Sequence, residues 1–227
     1  MASFTLWMLP HKRRWERIVA GFQDLHNDAG NWSTGKVGQG ILIGTNRSIS
    51  APRLIEWRGK MITKQEMMDL SILEAMKIYR VHYWDAIHGD QINSQALADI
   101  LADMKSSAGG AAVVQMQKTL NSFGENLAMD GAFGSKSVTA LNRQISKRGE
   151  ARIFNVFREY MTDYYKKLNN PHFEEQWISS LDEDYPPMDE GQTFWTAGNI
   201  TFIVIIILLV SYAAYQFKTS KLDQVDG

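Results

Sequence analysis

The candidate chemistry rests on a few polar and aromatic side chains. Asp28 precedes Ala29-Gly30, where the apolar spacing predicts that an N-terminal helix ends beside an apolar, glycine-rich segment. A carboxyl so placed is a candidate general acid. Tyr79, Tyr83 and Trp84 offer aromatic faces that suit saccharide rings, though at helical spacing two of the three fit a core better. Asp130-Gly131 reads as a turn rather than a ligand site. Lys12-Arg13-Arg14 reads as the solvated start of a helix. The five histidines show no zinc-type spacing and there are no cysteines, so no metal, disulfide or thiolate chemistry is expected. No P-loop and no strand–GxGxxG–helix unit occurs, and no cofactor is expected. The net charge of −1 gives no general attraction to nucleic acid.

Helices must position most of these groups. Trp15, Ile18, Val19, Phe22 and Leu25 recur at helical spacing over residues 11–28. Gly30, Gly35, Gly38, Gly40 and Gly44, with Val37, Ile41, Leu42 and Ile43 between them, then predict a small β-hairpin or ordered loop. Thr63 with Glu66, and Ser71 with Glu74, have capping-box spacing, and the second opens a helix through Trp84. Ser94 caps the next helix, Gly109-Gly110 breaks it, and Val113 to Leu120 resumes. Ile153, Val156, Phe157, Tyr160, Met161 and Tyr164 mark a long amphipathic helix, followed by one holding Phe173, Trp177 and Leu181.

Several segments, in order, resemble the family 108 glycoside hydrolases, N-acetylmuramidases of bacteria and their phages. In that family a helix ends in Glu-Gly-Gly and a glycine-rich stretch leads to Gly-x-Thr-Asn-Tyr-Gly-Ile-Ser. Here Asp28-Ala29-Gly30 and Gly44-Thr45-Asn46-Arg47-Ser48-Ile49-Ser50 stand in that order. Ile78-Tyr79-Arg80 with Tyr83-Trp84, Asp103 with Ser106 to Gly110, Gln117 with Asp130-Gly131, and Phe173 with Trp177 continue it. The resemblance implies a lysozyme-like α+β fold, mostly helical, with a small hairpin beside the cleft. It also implies a peptidoglycan glycan strand as partner and the bond between N-acetylmuramic acid and N-acetylglucosamine as the point of attack. On this reading Asp28 replaces the acidic Glu, Thr45 orients water, and Asn46, Tyr79, Tyr83 and Trp84 contact sugar. Asp28 is one methylene shorter than Glu, and no Asp or Glu stands between it and Thr45, so the resemblance implies slowed hydrolysis. The alternative is an inactive glycan-binding or structural subunit of a lysis, secretion or virion assembly.

The expected organisation is a muramidase-like region over 11–105, a peptidoglycan-binding-like helical region over 106–181, and an acidic linker over 182–193. Residues 194–217 contain no charged side chain and are long enough to span a bilayer as a helix, with Trp195, Tyr212 and Tyr215 near its ends. A short tail, 218–227, follows. The expected location is therefore a bacterial envelope or a phage-associated membrane, through a single C-terminal anchor. Lys218 and Lys221 favour a cytoplasmic C-terminus, but no export signal precedes the domain, so the side is open.

Overall fold

A computed structural model describes residues 1–8, 19, 21–169 and 171–189. Lys12-Arg13-Arg14, the expected span 194–217 and the tail lie outside these residues. Among the described residues no helix is long and apolar enough to cross a membrane.

The fold is a mostly helical, lysozyme-like domain. Among the described residues its α-helices include α1 (Phe4–Met8), α2 (Ala51–Arg58), α3 (Lys64–Met68), α4 (Ile72–Tyr79), α5 (Gln95–Ala108), α6 (Gly110–Ser122), α7 (Ser135–Arg148), α8 (Glu150–Lys167) and α9 (Pro171–Asp184). Local chemistry sets several of their boundaries. Thr63 Oγ1 accepts from Glu66 N while Glu66 returns a bond to Thr63 N, a complete capping box at α3. Ser71 Oγ caps α4, but the Glu74 carboxylate is drawn to Arg58, at 2.8–3.0 Å. Ser94 Oγ caps α5 through Leu97 N. Gly109, at φ +59°, turns the chain from α5 into α6.

Two expectations are corrected. The glycine-rich segment forms no hairpin; among the described residues it makes only isolated bridges, Trp32 with Leu42, Gln23 with Thr45 and Asn46 with Ile49. Gly35, Gly38, Gly40 and Gly44 all have positive φ, so the chain turns too often to keep a ladder in register. The helix expected over 11–28 also stops early. Val19 is helical, but residues 21–25 are not, with Gln23 in its bridge to Thr45, and Asp28 caps a single 3-10 turn, Ala29–Asn31.

The core is continuous from the N-terminus to Met188. α8 lies against α5, α6, α7 and α9 and buries Ile153, Phe154, Phe157, Met161 and Tyr165. Phe157 is 0% exposed, so Phe157→Ala should lower stability by roughly 3–5 kcal/mol in urea melts through lost burial and a residual cavity. A change below about 1 kcal/mol would contradict this packing. The N-terminal segment also contributes: Trp7 and Met8 are buried, and Trp7 Nε1 donates to Asp103 Oδ1 at 3.0 Å. The first part of the expected acidic linker belongs to the domain. Tyr185 is buried and donates to Asp103, and Met188 exchanges two 2.8 Å bonds with Asn155.

Candidate functional site

Asp28, Thr45 and Ser50 come together around Gly30. A Cβ on Gly30 would stand 3.3 Å from Asp28 Oδ1, 3.6 Å from Thr45 Oγ1 and 3.3 Å from Ser50 Cβ. The absent side chain leaves a small polar cradle. Asp28 is exposed, and its Oδ1 accepts from Gly30 N at 2.8 Å, which fixes the carboxylate against the turn. Thr45 Oγ1 is buried and has no hydrogen-bond partner. A buried hydroxyl without a partner is costly unless something else meets it. Ser50 is the N-cap residue of α2, yet its side chain makes no capping bond. The cradle thus gathers one carboxylate and two hydroxyls able to hold water or a sugar hydroxyl.

The backbone around the cradle is tightly braced. Gln23 and Thr45 exchange bonds of 2.8 and 2.7 Å, and Asn31 O accepts from both Ile43 N and Gly44 N at 2.9 Å. Asn31 Nδ2 donates to Leu25 O, and Trp32 Nε1 donates to His26 O. Gly44, at φ +108°, permits the contact: a Cβ there would lie 2.4 Å from the Phe22 ring and 2.7 Å from Gln23 O. Asp24, the nearest carboxylate in sequence, is paired with Lys64 at 2.5 Å. That bond and the lysine's charge hold its carboxyl below the usual range, despite a smaller opposing effect of burial.

The early end of the helix bears on the acid. The resemblance implies an acidic residue at a helix end; Asp28 instead caps a single 3-10 turn, and the last helical residue described before it is Val19, with Gly21 non-helical. Val19 is 46% exposed and carries no proton to give. Asp28 lies nine residues further along, on the turn beside Thr45.

The other expected residues separate. Asn46 is buried and donates to Met67 O and Met68 O, anchoring the end of α3. Trp84 is fully buried; it stacks on Trp7 at 5.6 Å and donates to Asp90. Gly89 is required there, because a Cβ would fall 2.3 Å from the Trp84 ring. Tyr79 is mostly buried against Tyr83, while the half-buried Tyr83 faces a cavity of about 300 Å³ bordered by Ser48, Ser106, Ser107 and Trp177. Tyr83 stands on the π-helical turn, Arg80–Trp84, that continues α4. Gln117 and Asp130 clasp one another: Gln117 Nε2 donates to Asp130 Oδ1 at 2.9 Å and Gly131 N donates to Gln117 Oε1. Among the described residues no group of acids and histidines is arranged to hold a metal.

A basic cluster beside Tyr83 was not foreseen, because Arg53, His82 and Lys105 are far apart in sequence and sit on different elements. Arg53 Nη1 lies 3.1 Å from His82 Nδ1. Arginine only donates, so this bond requires the neutral imidazole with its proton on Nε2. Burial, then the charge of Arg53, with Lys105 adding, hold the His82 pKa below 6.5 against an opposing pull from Glu56. The sign follows from linkage. The folded state disfavours the proton, so the contribution of His82 is complete above 6.5 and is lost as pH falls through the lowered folded value. The stability of the wild type should therefore fall more steeply below pH 6.5 than that of His82→Gln. Parallel urea-midpoint profiles would exclude the effect.

Residues 15–109 match the family model described as glycosyl hydrolase 108, which bears out the family resemblance over that stretch. The solved structure titled "Structure of Brucella abortus SagA" is similar to this chain with a TM-score of 0.60 and 24% identity, over 76% of this chain and 88% of that one. That likeness supports the fold, including the helices beyond the family match. No curated protein matches the sequence.

Proposed function

We propose that this chain, with its glycosyl hydrolase 108 region over residues 15–109, engages the glycan strands of peptidoglycan at the Asp28–Thr45–Ser50 cradle. The observation that carries the reading is the set of three polar side chains meeting over Gly30, with the buried Thr45 hydroxyl left without a protein partner. In this reading Thr45 and Ser50 hold a water or sugar hydroxyl beside the glycosidic bond, and Asp28 accepts a proton from it. Glycoside hydrolysis needs a second group to protonate the leaving oxygen. In this reading the helix end that would carry that group is at Val19, which has no proton to give, so the chain binds glycan well and cleaves it slowly. Loss of a general acid costs typically 10²–10⁴-fold in rate.

The test uses purified peptidoglycan. The chain should co-sediment with it, while turbidity loss stays slow. Asp28→Asn should remove the residual cleavage and leave most binding, because the groove keeps its shape. Failure to bind would favour the alternative, a structural subunit of an envelope or virion assembly. We further propose that residues 194–217 anchor the chain in a bacterial or phage-associated membrane. A chain lacking residues 194–227 should stay in solution without detergent; its persistence in the membrane pellet would contradict the anchor.

A further inference from the structure

Two cations, Arg53 and Lys105, and the neutral His82 come together from three elements, and among the described residues the carboxylate paired with them is Glu56. Arg53 on α2 contacts His82 of the π-helical turn, and its guanidinium lies 5.9 Å from the centre of the Tyr83 ring. Its carboxylate partner is Glu56, at 2.6 Å, whose side chain is 61% exposed. Lys105 is half-buried on α5, which packs against the π-helical turn that carries His82, and it makes no ion pair among the described residues. Burial and the Arg53 guanidinium both push the Lys105 pKa down. A half-buried ammonium beside a guanidinium is unfavourable by desolvation and by like-charge repulsion, and an arriving anion relieves both.

The cluster begins about one helical turn from the cradle. Ser50 caps α2 and Arg53 follows three residues later, which puts the two on one face of the helix about one turn apart. Tyr83 supplies an aromatic surface next to Arg53 and opens toward Ser106 and Ser107 at the end of α5. On a glycan whose muramyl carboxyl is taken up in the amide to the peptide, the free carboxylates are those of the peptide stem.

We propose that Arg53 and Lys105, with His82 Nε2–H as a further donor, form a carboxylate subsite for the peptide stem of the muramyl unit bound at the cradle. The inference rests on the glycan-binding reading above and deepens it: the preferred ligand is stem-bearing glycan rather than bare sugar polymer. Arg53 presents a planar fork to the carboxylate and Lys105 a compact charge.

The experiment compares two polymers, intact peptidoglycan and the same material with its stem carboxylates converted to neutral amides by carbodiimide and excess methylamine. The full chain, in detergent, is tested for co-sedimentation with each. Wild type should bind the intact polymer roughly tenfold more tightly, the scale of one or two charge-assisted hydrogen bonds. R53Q and K105Q should each bring that preference close to one and leave affinity for the amidated polymer unchanged. R53K should recover part of it. Matching melting temperatures establish that the variants fold. Equal wild-type affinity for both polymers, or a preference that survives both substitutions, overturns the subsite while leaving the glycan-binding reading intact. A preference carried instead by phosphate-rich wall polymer overturns the carboxylate assignment. Failure to bind either polymer overturns both readings together.

Discussion

Val19→Glu should raise peptidoglycan cleavage by about 10²–10⁴-fold over wild type, the usual contribution of a positioned general acid. Val19 is the last described helical residue before the non-helical residues 21–25, and it is 46% exposed, so a glutamate there is not forced into the core. The C-terminal end of a helix carries partial negative charge, which favours the protonated carboxyl that an acid needs. Four residues later Gln23 pairs with Thr45, so the helix end and the cradle are joined by a short braced segment. The new carboxyl would donate the proton while Asp28, Thr45 and Ser50 hold the attacking water. Adding Asp28→Asn to Val19→Glu should take most of the gain away. Asp28→Glu alone should not raise activity, because lengthening the side chain gives up the bond to Gly30 N without supplying an acid. A folded, glycan-binding Val19→Glu protein with no increase in reducing-end release would show that the acid position lies elsewhere.

The second large effect is expected at Gly44. Gly44→Ala should cost on the order of 3 kcal/mol, from a side chain at unfavourable φ and from overpacking. The backbone is at φ +108°, and the new Cβ would meet Gln23 O at 2.7 Å as well as the Phe22 ring. A ring can rotate away, but the Gln23 carbonyl is one half of the pair that holds Thr45. Relief therefore opens the Gln23–Thr45 bridge and displaces the Thr45 hydroxyl from the cradle. Glycan binding should fall along with stability. Gly59→Ala is the control: its φ is +66°, but nothing lies within 4 Å of the added Cβ and it is remote from the site. It should cost about 1 kcal/mol and leave binding unchanged. If Gly44→Ala binds glycan like the wild type at a temperature where both are folded, the bridge does not position the site.

Local signals were legible wherever a helix begins or ends through its own residues. The Thr63–Glu66 box, the Ser94 cap and the Gly109-Gly110 break all act within one turn, and the structure places them where spacing does. The long helix over 153–168 was equally clear, because its apolar face repeats at the helical period; it runs Glu150–Lys167. The N-terminal helix was read too far because Phe22 and Leu25 continue the helical spacing. Pairing of Gln23 with Thr45, a contact between segments far apart in sequence, outweighs that weak periodicity. The hairpin failed for a related reason: alternating apolar residues suggest a ladder, but closely spaced glycines at positive φ break its register.

The amino-acid sequence by itself determined the helical character, the absence of cysteine chemistry and the ordered segments that resemble one glycosidase family. It also supplied the two residues, Asp28 and Thr45, that meet at the cradle. Tertiary structure decided their roles. It put Trp84 inside the core and left Tyr83 at a cavity, although the two are adjacent in sequence, because the π-helical turn and Gly89 seat one ring and not the other. It spent the Asn46 amide on α3 and left the Thr45 hydroxyl unpartnered. It also gathered Arg53, His82 and Lys105 from separate elements, a juxtaposition with no periodicity to announce it. Such groups meet only when helices pack, and packing is set by the combined burial of many apolar side chains rather than by any local run of residues.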